Sequence, residues 1–168
     1  MSDKEHFEPV HTYRDGSRLR EASRPVGILE LLYSDGSGAC TASLISQDLL
    51  LTNAHCTGAD VREARFSPEF LDEGRPPVSF SVNTRPVEVD EELDYAILQV
   101  SGSPGKTFGV IALSPEAPSP GDDLSIFHHP LGHIKSVTRY GCLAKSVHNG
   151  LLGHLCDTLP GSSGAPVF

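Results

Sequence analysis

Three short segments of this 168-residue chain carry the side-chain types that nucleophilic acyl transfer requires. Ser163 lies in "GSSGAP", where glycine on both sides permits a sharp turn that presents the hydroxyl. In such a turn the N–H groups of Gly161 and Ser163 can point at one spot and form a cradle for an oxyanion. His55 closes "LLLTNAHC", a strand end, which brings an imidazole to the rim of a β core where it can act as a general base near neutral pH. Asp94 stands directly before the apolar run of "DYAILQV", a position from which a carboxylate can accept the imidazole N–H. Taken singly, each has a plainer explanation. "GSSG" is common in flexible linkers, a lone histidine is usually structural, and an aspartate before a strand is an ordinary turn former.

The surrounding chain reads as strands. From Val26 onward come the apolar runs "VGILELLY", "ACTASLIS", "LLLTNAH", "VSFSVNT", "DYAILQV", "LSIFHH", "SVTRYGCLAKSVH" and "LLGHLCDT", bounded by Gly, Pro, Asp, Asn and Ser. Their lengths and the period-2 alternation in "VSFSV" fit strands, and together they indicate an all-β sandwich or barrel. The Pro- and Gly-rich stretch 101–123 reads as a crossing between two β halves, with one short strand expected at Val110–Leu113. Residues 1–24 mix both charges without apolar periodicity and are expected to form a charged, solvated arm.

Cysteine spacing points the same way. Cys40 and Cys56 are equidistant from position 48, and Cys142 and Cys156 from position 149. If each centre is a three-residue hairpin loop, each pair faces across two antiparallel strands at disulfide range. Four buried free thiols are the alternative. Zinc is disfavoured because no Cys-x-x-Cys occurs and the eight histidines are scattered. Two disulfides would place the chain in an oxidising compartment, secreted or periplasmic. The start "MSDKEHFEPV" shows no signal peptide, which keeps a cytoplasmic location with reduced thiols as the alternative.

A net charge of -9 disfavours nucleic acid and anionic lipid as partners. No apolar run reaches the roughly 18 to 20 residues of a membrane helix.

The order His55, Asp94, Ser163, with "LTNAHC", "DYAIL" and "PGSSGAP" around them, resembles the trypsin/chymotrypsin family of serine endopeptidases over residues 25–168. The "DT-x-x-G-x-S-G-x-P" pattern is most similar to the bacterial glutamyl endopeptidase branch. The resemblance implies two antiparallel six-stranded β-barrels of the chymotrypsin-like type, the first over 25–109 with His55 and Asp94 and the second over 110–168 with Ser163. It implies peptide-bond hydrolysis through an acyl-enzyme, with Ser163 as nucleophile, His55 as general base then acid, and Asp94 orienting His55. Gly161 and Ser163 would form the oxyanion hole, and Cys40–Cys56 would be the disulfide beside the histidine. Asp157 and Thr158 take the positions that line the substrate pocket. The expected partner is a protein or peptide substrate, the chain a monomer, and no cofactor or metal is called for.

Several features depart from the family. The chain stops five residues after Ser163, so the second barrel is expected to be incomplete. That leaves a catalytically inert, protease-like binding module or inactive fragment as the alternative function. Ser162, directly before the nucleophile, has no carboxylate to pair with a new N-terminal amine, so activation by that route is not expected. Three histidines in "IFHHPLGHIK" invite a metal, yet the segment resembles the opening of the second barrel. His128 and His129 are accordingly expected as strand-end residues and His133 as a loop residue, without a functional role.

Overall fold

A computed structural model describes residues 6–168 of the chain. The elements are β1 (Glu8–Pro9), α1 (Arg18–Ser23), β2 (Val26–Leu32), β3 (Ser37–Leu44), β4 (Leu49–Thr52), β5 (Glu63–Ser67), β6 (Phe80–Val82), β7 (Glu88–Asp90), β8 (Tyr95–Gln99), α2 (Gly105–Phe108), β9 (Ile126–His128), β10 (Ser136–Thr138), β11 (Ala144–His148) and β12 (Leu151–His154). Every strand pairing is antiparallel.

Strands β2–β8 form one sheet in the order β6-β5-β2-β3-β4-β8-β7. The sheet curls until its ends meet. A Val82↔Val100 bridge and the Asn83 N–H bond to the Gln99 carbonyl (2.9 Å) join β6 to the far end of β8, closing a barrel. Alternation sets the inside: Leu29 and Leu31, Cys40, Ala42 and Leu44, Leu50, Ala64 and Phe66, and Leu98 all point inward and are buried. Two of these strands, β5 and β7, are absent from the apolar runs in the sequence. Their solvent-facing residues are charged, as in "EARFS", so each shows only one or two apolar positions.

The second half is a three-stranded sheet, β1-β10-β9, and the hairpin β11–β12. Val167 bridges to Ile126, and Ser125 and Phe168 exchange both backbone bonds (2.8 and 2.9 Å). This is an all-β, chymotrypsin-like architecture with a closed first barrel and an incomplete second one.

Three details differ from expectation. The arm is not a solvated lead-in. β1 pairs with β10, Val10 and Ser23 are fully buried, and Val10 packs with Val26, Phe127 and Val137 in a cluster that joins the two halves. Of the buried partners of Val10, Phe127 and Val137 lie more than a hundred residues away in β9 and β10, beyond the reach of local periodicity. Val110–Leu113 is not a strand; Ile111 makes one backbone bond to Leu44 (2.8 Å), and the nearest regular element is the single turn α2. The disulfides Cys40–Cys56 and Cys142–Cys156 are formed, but the loops are not those the spacing placed: the β3–β4 loop has three residues, 46–48, closed by the Ile45 N–H bond to the Leu49 carbonyl (3.0 Å), one position short of the expected centre. In β3–β4 the ladder pairs Ser43 with Leu51, and Cys56 lies beyond it in a 3-10 turn. In β11–β12, Asn149 and Gly150 both take positive φ in a two-residue turn, and a bulge between Ala144 and Ser146 restores the register that brings Cys142 opposite Cys156.

Candidate active site

His55 sits in the 3-10 turn Ala54–Cys56 that follows β4, anchored by the Cys40–Cys56 bond to the neighbouring β3. Its ring meets Asp94, the residue before β8, and β4 and β8 are paired in the sheet. Asp94 grips His55 at two points: Oδ2 lies 2.7 Å from Nδ1, and Oδ1 accepts the His55 backbone N–H at 2.9 Å. An ionised carboxylate can only accept, so Nδ1 carries the proton and Nε2 is left with its lone pair facing away from Asp94.

Asp94 is held in turn by its backbone. Its φ of 54° is left-handed, a conformation aspartate tolerates better than most residues, and its carbonyl accepts the Asn53 side-chain N–H at 2.7 Å. Partial burial pushes the Asp94 carboxyl up, but the hydrogen bonds and charge of His55 outweigh it and hold the group below the usual carboxylate range.

Ser163 lies in the turn 161–164, between Gly161 at φ 96° and Gly164 at φ 84°. Both glycines are required for space as well as for dihedral. A Cβ on Gly161 would stand 2.5 Å from the His129 carbonyl, and one on Gly164 would stand 2.1 Å from the Thr41 carbonyl and 2.3 Å from Thr52 Oγ1. The turn therefore presses against β3 and β4, three residues before His55 in the chain. Asp94 and Gly164 also line one cavity of about 230 Å³ with Thr52 and Asn53. A second, larger hollow of about 710 Å³ lies along His55 and Asp94, bordered by Thr57, Arg85, Pro86 and Val89.

The backbone of the turn is fixed by its carbonyls. Pro160 accepts the Leu131 N–H (2.5 Å), Gly161 the Thr41 hydroxyl (2.9 Å), Ser162 the Ala165 N–H (3.0 Å) and Ser163 the Thr41 N–H (2.7 Å). In a trans peptide the N–H points opposite to the C=O before it. The Gly161 and Ser163 N–H groups are thus turned away from those contacts, and neither has a hydrogen-bond partner among the described residues.

Thr41 escaped the sequence reading. It is fully buried in β3, its N–H and hydroxyl hold the Ser163 and Gly161 carbonyls, and its hydroxyl also accepts the His129 N–H at 3.1 Å. Nothing local marks it, because a threonine in "ACTASL" is an ordinary strand residue. His128 ends β9 and His129 follows it, the strand-end positions expected of them. Both are fully buried, and His128 bonds Ser162, the residue before the proposed nucleophile, at 2.7 Å. Asp157 is half-buried against His6, while Thr158 is exposed. Among the described residues no cluster of three His, Cys, Asp or Glu side chains is arranged to hold a metal ion, and no helix is long and apolar enough to cross a membrane.

Residues 36–168 match the sequence model of the trypsin-like peptidase domain. No curated protein sequence matches the chain. Among solved structures it is similar to the active form of the Rv3671c protease from M. tuberculosis (TM-score 0.68, 22% identity, 87% of this chain and 66% of that one). It is also similar to the thermostable serine protease AL20 from an extremophilic microorganism (TM-score 0.68, 20% identity, 88% and 79%). A third neighbour is a serine endoprotease from Yersinia pestis (TM-score 0.71, 17% identity, 89% and 51%). At these identities the likeness is one of fold, and the chain spans between about half and four fifths of the neighbours' lengths.

Proposed function

Because the chain belongs to the trypsin-like peptidase domain family, with a match across residues 36–168, we propose that it is a serine endopeptidase acting through an acyl-enzyme. The observation that carries this is the two-point His55–Asp94 pair, with Asp94 sharing a cavity with Gly164 of a glycine-bounded serine turn whose Gly161 and Ser163 N–H groups have no partner among the described residues. Ser163 Oγ attacks the substrate carbonyl carbon as its proton passes to His55 Nε2. The Nδ1–H bond to Asp94 keeps the imidazole in the accepting tautomer and stabilises the imidazolium. The carbonyl oxygen, now negative, rests on the Gly161 and Ser163 N–H groups. As the intermediate collapses, the C–N bond breaks and His55 gives its proton to the departing amine. Water then repeats the sequence: His55 takes its proton, its oxygen bonds the acyl carbon, and the ester bond to Ser163 breaks as the proton returns to Oγ. No cofactor is needed.

The finer placement, near the glutamyl endopeptidase branch with Asp157 and Thr158 in the substrate pocket, rests on the motif around Ser163. Asp157 is the acid in that segment, and a free carboxylate there would favour a cationic side chain. Its oxygen is instead 3.2 Å from the His6 N–H and 3.4 Å from the His6 ring.

The test is labelling of the natural full-length protein with a fluorophosphonate, with the adduct located by mass spectrometry. The expected adduct is on Ser163, absent in Ser163→Ala at an unchanged melting temperature, and slowed by about 10⁴ in Asp94→Asn, which inverts the tautomer. Absence of an adduct in the native protein would favour an inert binding module.

A further inference from the structure

Ser162 is the one residue of the turn 161–164 whose side chain is buried, and its surroundings form a closed polar chain. Its Oγ accepts the Leu159 N–H at 3.2 Å and meets His128 Nδ1 at 2.7 Å. The other ring nitrogen, Nε2, meets Thr138 Oγ1 at 3.0 Å. Leu159, Ser162, His128 and Thr138 thereby connect the nucleophile turn to both β9 and β10, deep in the second half. Phe7 of the N-terminal arm closes this chain from outside, standing edge-on to the His128 ring with centroids 5.1 Å apart. The preceding residue, His6, contacts Asp157 at the other side of the same loop.

We propose that His128 is a positioning residue for the nucleophile turn: its Nδ1 holds Ser162, and through it the Gly161 and Ser163 N–H groups, while the docked arm covers the ring with Phe7. This deepens the protease reading above and rests on it. Contacts with β3, the 130–132 turn and Ala165 hold the carbonyls of residues 160–163 from outside the turn. The Ser162 side chain supplies an inward tether, anchored by a ring in a strand. Ser162 has no charge, so it needs no cationic partner. A neutral imidazole, one nitrogen donating and one accepting, satisfies it, and burial pushes His128 down to about 4, which keeps it neutral. Small displacements of a cradle for the oxyanion are costly to rate even when the fold is intact.

The ring's two nitrogens can be separated by substitution. His128→Asn keeps a polar atom near the Nδ1 position, facing Ser162, and His128→Gln keeps one near the Nε2 position, facing Thr138. For the full-length protein, fluorophosphonate modification of Ser163 is resolved into reversible binding and the covalent step. In parallel, the amide resonances of Gly161 and Ser163 are recorded by NMR. In Ser162→Ala and His128→Gln the covalent step is expected to fall by about 100-fold with reversible binding little changed, and both amide resonances to move. His128→Asn is expected to stay near wild type on both readouts, and Phe7→Ala to show a smaller loss of the same kind. Wild-type rates and unmoved amides in Ser162→Ala would overturn the proposal. So would equal losses in His128→Asn and His128→Gln that track their melting temperatures, since that is the signature of a core residue only. If the wild-type protein is unlabelled while the amides still move as described, the protease reading fails and the positioning role stands.

Discussion

The closed first barrel and the incomplete second half are held together by different means. Thirteen buried residues line the first barrel, none ionisable, and its buried polar side chains are the hydroxyls Thr41, Ser43, Thr52 and Ser67. Its hairpin pairs β2–β3, β3–β4 and β7–β8 close over short loops, while β2–β5 and β4–β8 join segments farther apart in the chain. The second half has strands of two to five residues and buries His128, His129 and Lys135 completely. Lys135 Nζ bonds the Ser23 carbonyl at 2.9 Å and also the Pro68 carbonyl, tying α1 and the segment after β5 to β10. Apolar burial thus builds a rigid platform for His55 and Asp94, whereas the serine turn is set by polar contacts that reach across the chain. A dry barrel tolerates solvent conditions that a polar network does not.

A like-for-like truncation gives the largest contrast. Phe66 and Phe127 are both almost wholly buried, the first in the barrel core and the second in the cluster where the arm meets β9 and β10. Phe66→Ala is expected near the top, and Phe127→Ala near the bottom, of the range of about 3–5 kcal/mol for such a change. Urea denaturation measures both, and equal losses would erase the distinction between the two cores.

Reduction comes next. The two disulfides close loops of similar length, with separations of 16 and 14, and each is expected to contribute about 3 kcal/mol. Their surroundings differ: Cys40 and Cys56 are within the thirteen-residue core, while Cys142 and Cys156 belong to a cluster of five. With reductant, hydrogen exchange should rise first in β11–β12 and last around Cys40. Early loss of protection in β3 and β4 would count against the platform description.

The smallest and most specific effect is acid sensitivity. Burial pushes His128 to about 4 and His129 to about 3 from an ordinary 6.5, and Lys135 to about 7 from 10.5. In every case the unfolded chain binds the proton more tightly, so stability rises with pH, between about 4 and 6.5 for His128, about 3 and 6.5 for His129, and about 7 and 10.5 for Lys135. Acidification from pH 6.5 towards 4 should therefore expose the amides of β9 and β10 before those of β3 and β4, after correction for intrinsic exchange. Parallel loss in both regions would show that the histidines do not distinguish them.

The first barrel was legible where its strands carry several apolar residues bounded by turn formers, as in β2, β3 and β8. Where alternation was masked, as in β5 with Glu63 and Arg65 outward, the strand was not visible. The paired cysteines were legible from spacing alone, although the true loop in β11–β12 is shorter and a bulge makes up the difference. The arm was misread because its apolar residues, Phe7, Val10 and Tyr13, have no period of their own and find partners in distant elements, β9 and β10 among them.

By itself the sequence determined the side-chain types of the proposed triad, their order along the chain, and the two glycines that let a serine turn form; these are properties of a few adjacent residues. Tertiary structure alone decided that Thr41 clamps that turn, that Ser162 is tethered to His128, and that Phe7 covers the ring. Those contacts join positions up to 121 residues apart, and no local pattern encodes which of many buried threonines or histidines will meet a given loop once the sheets close.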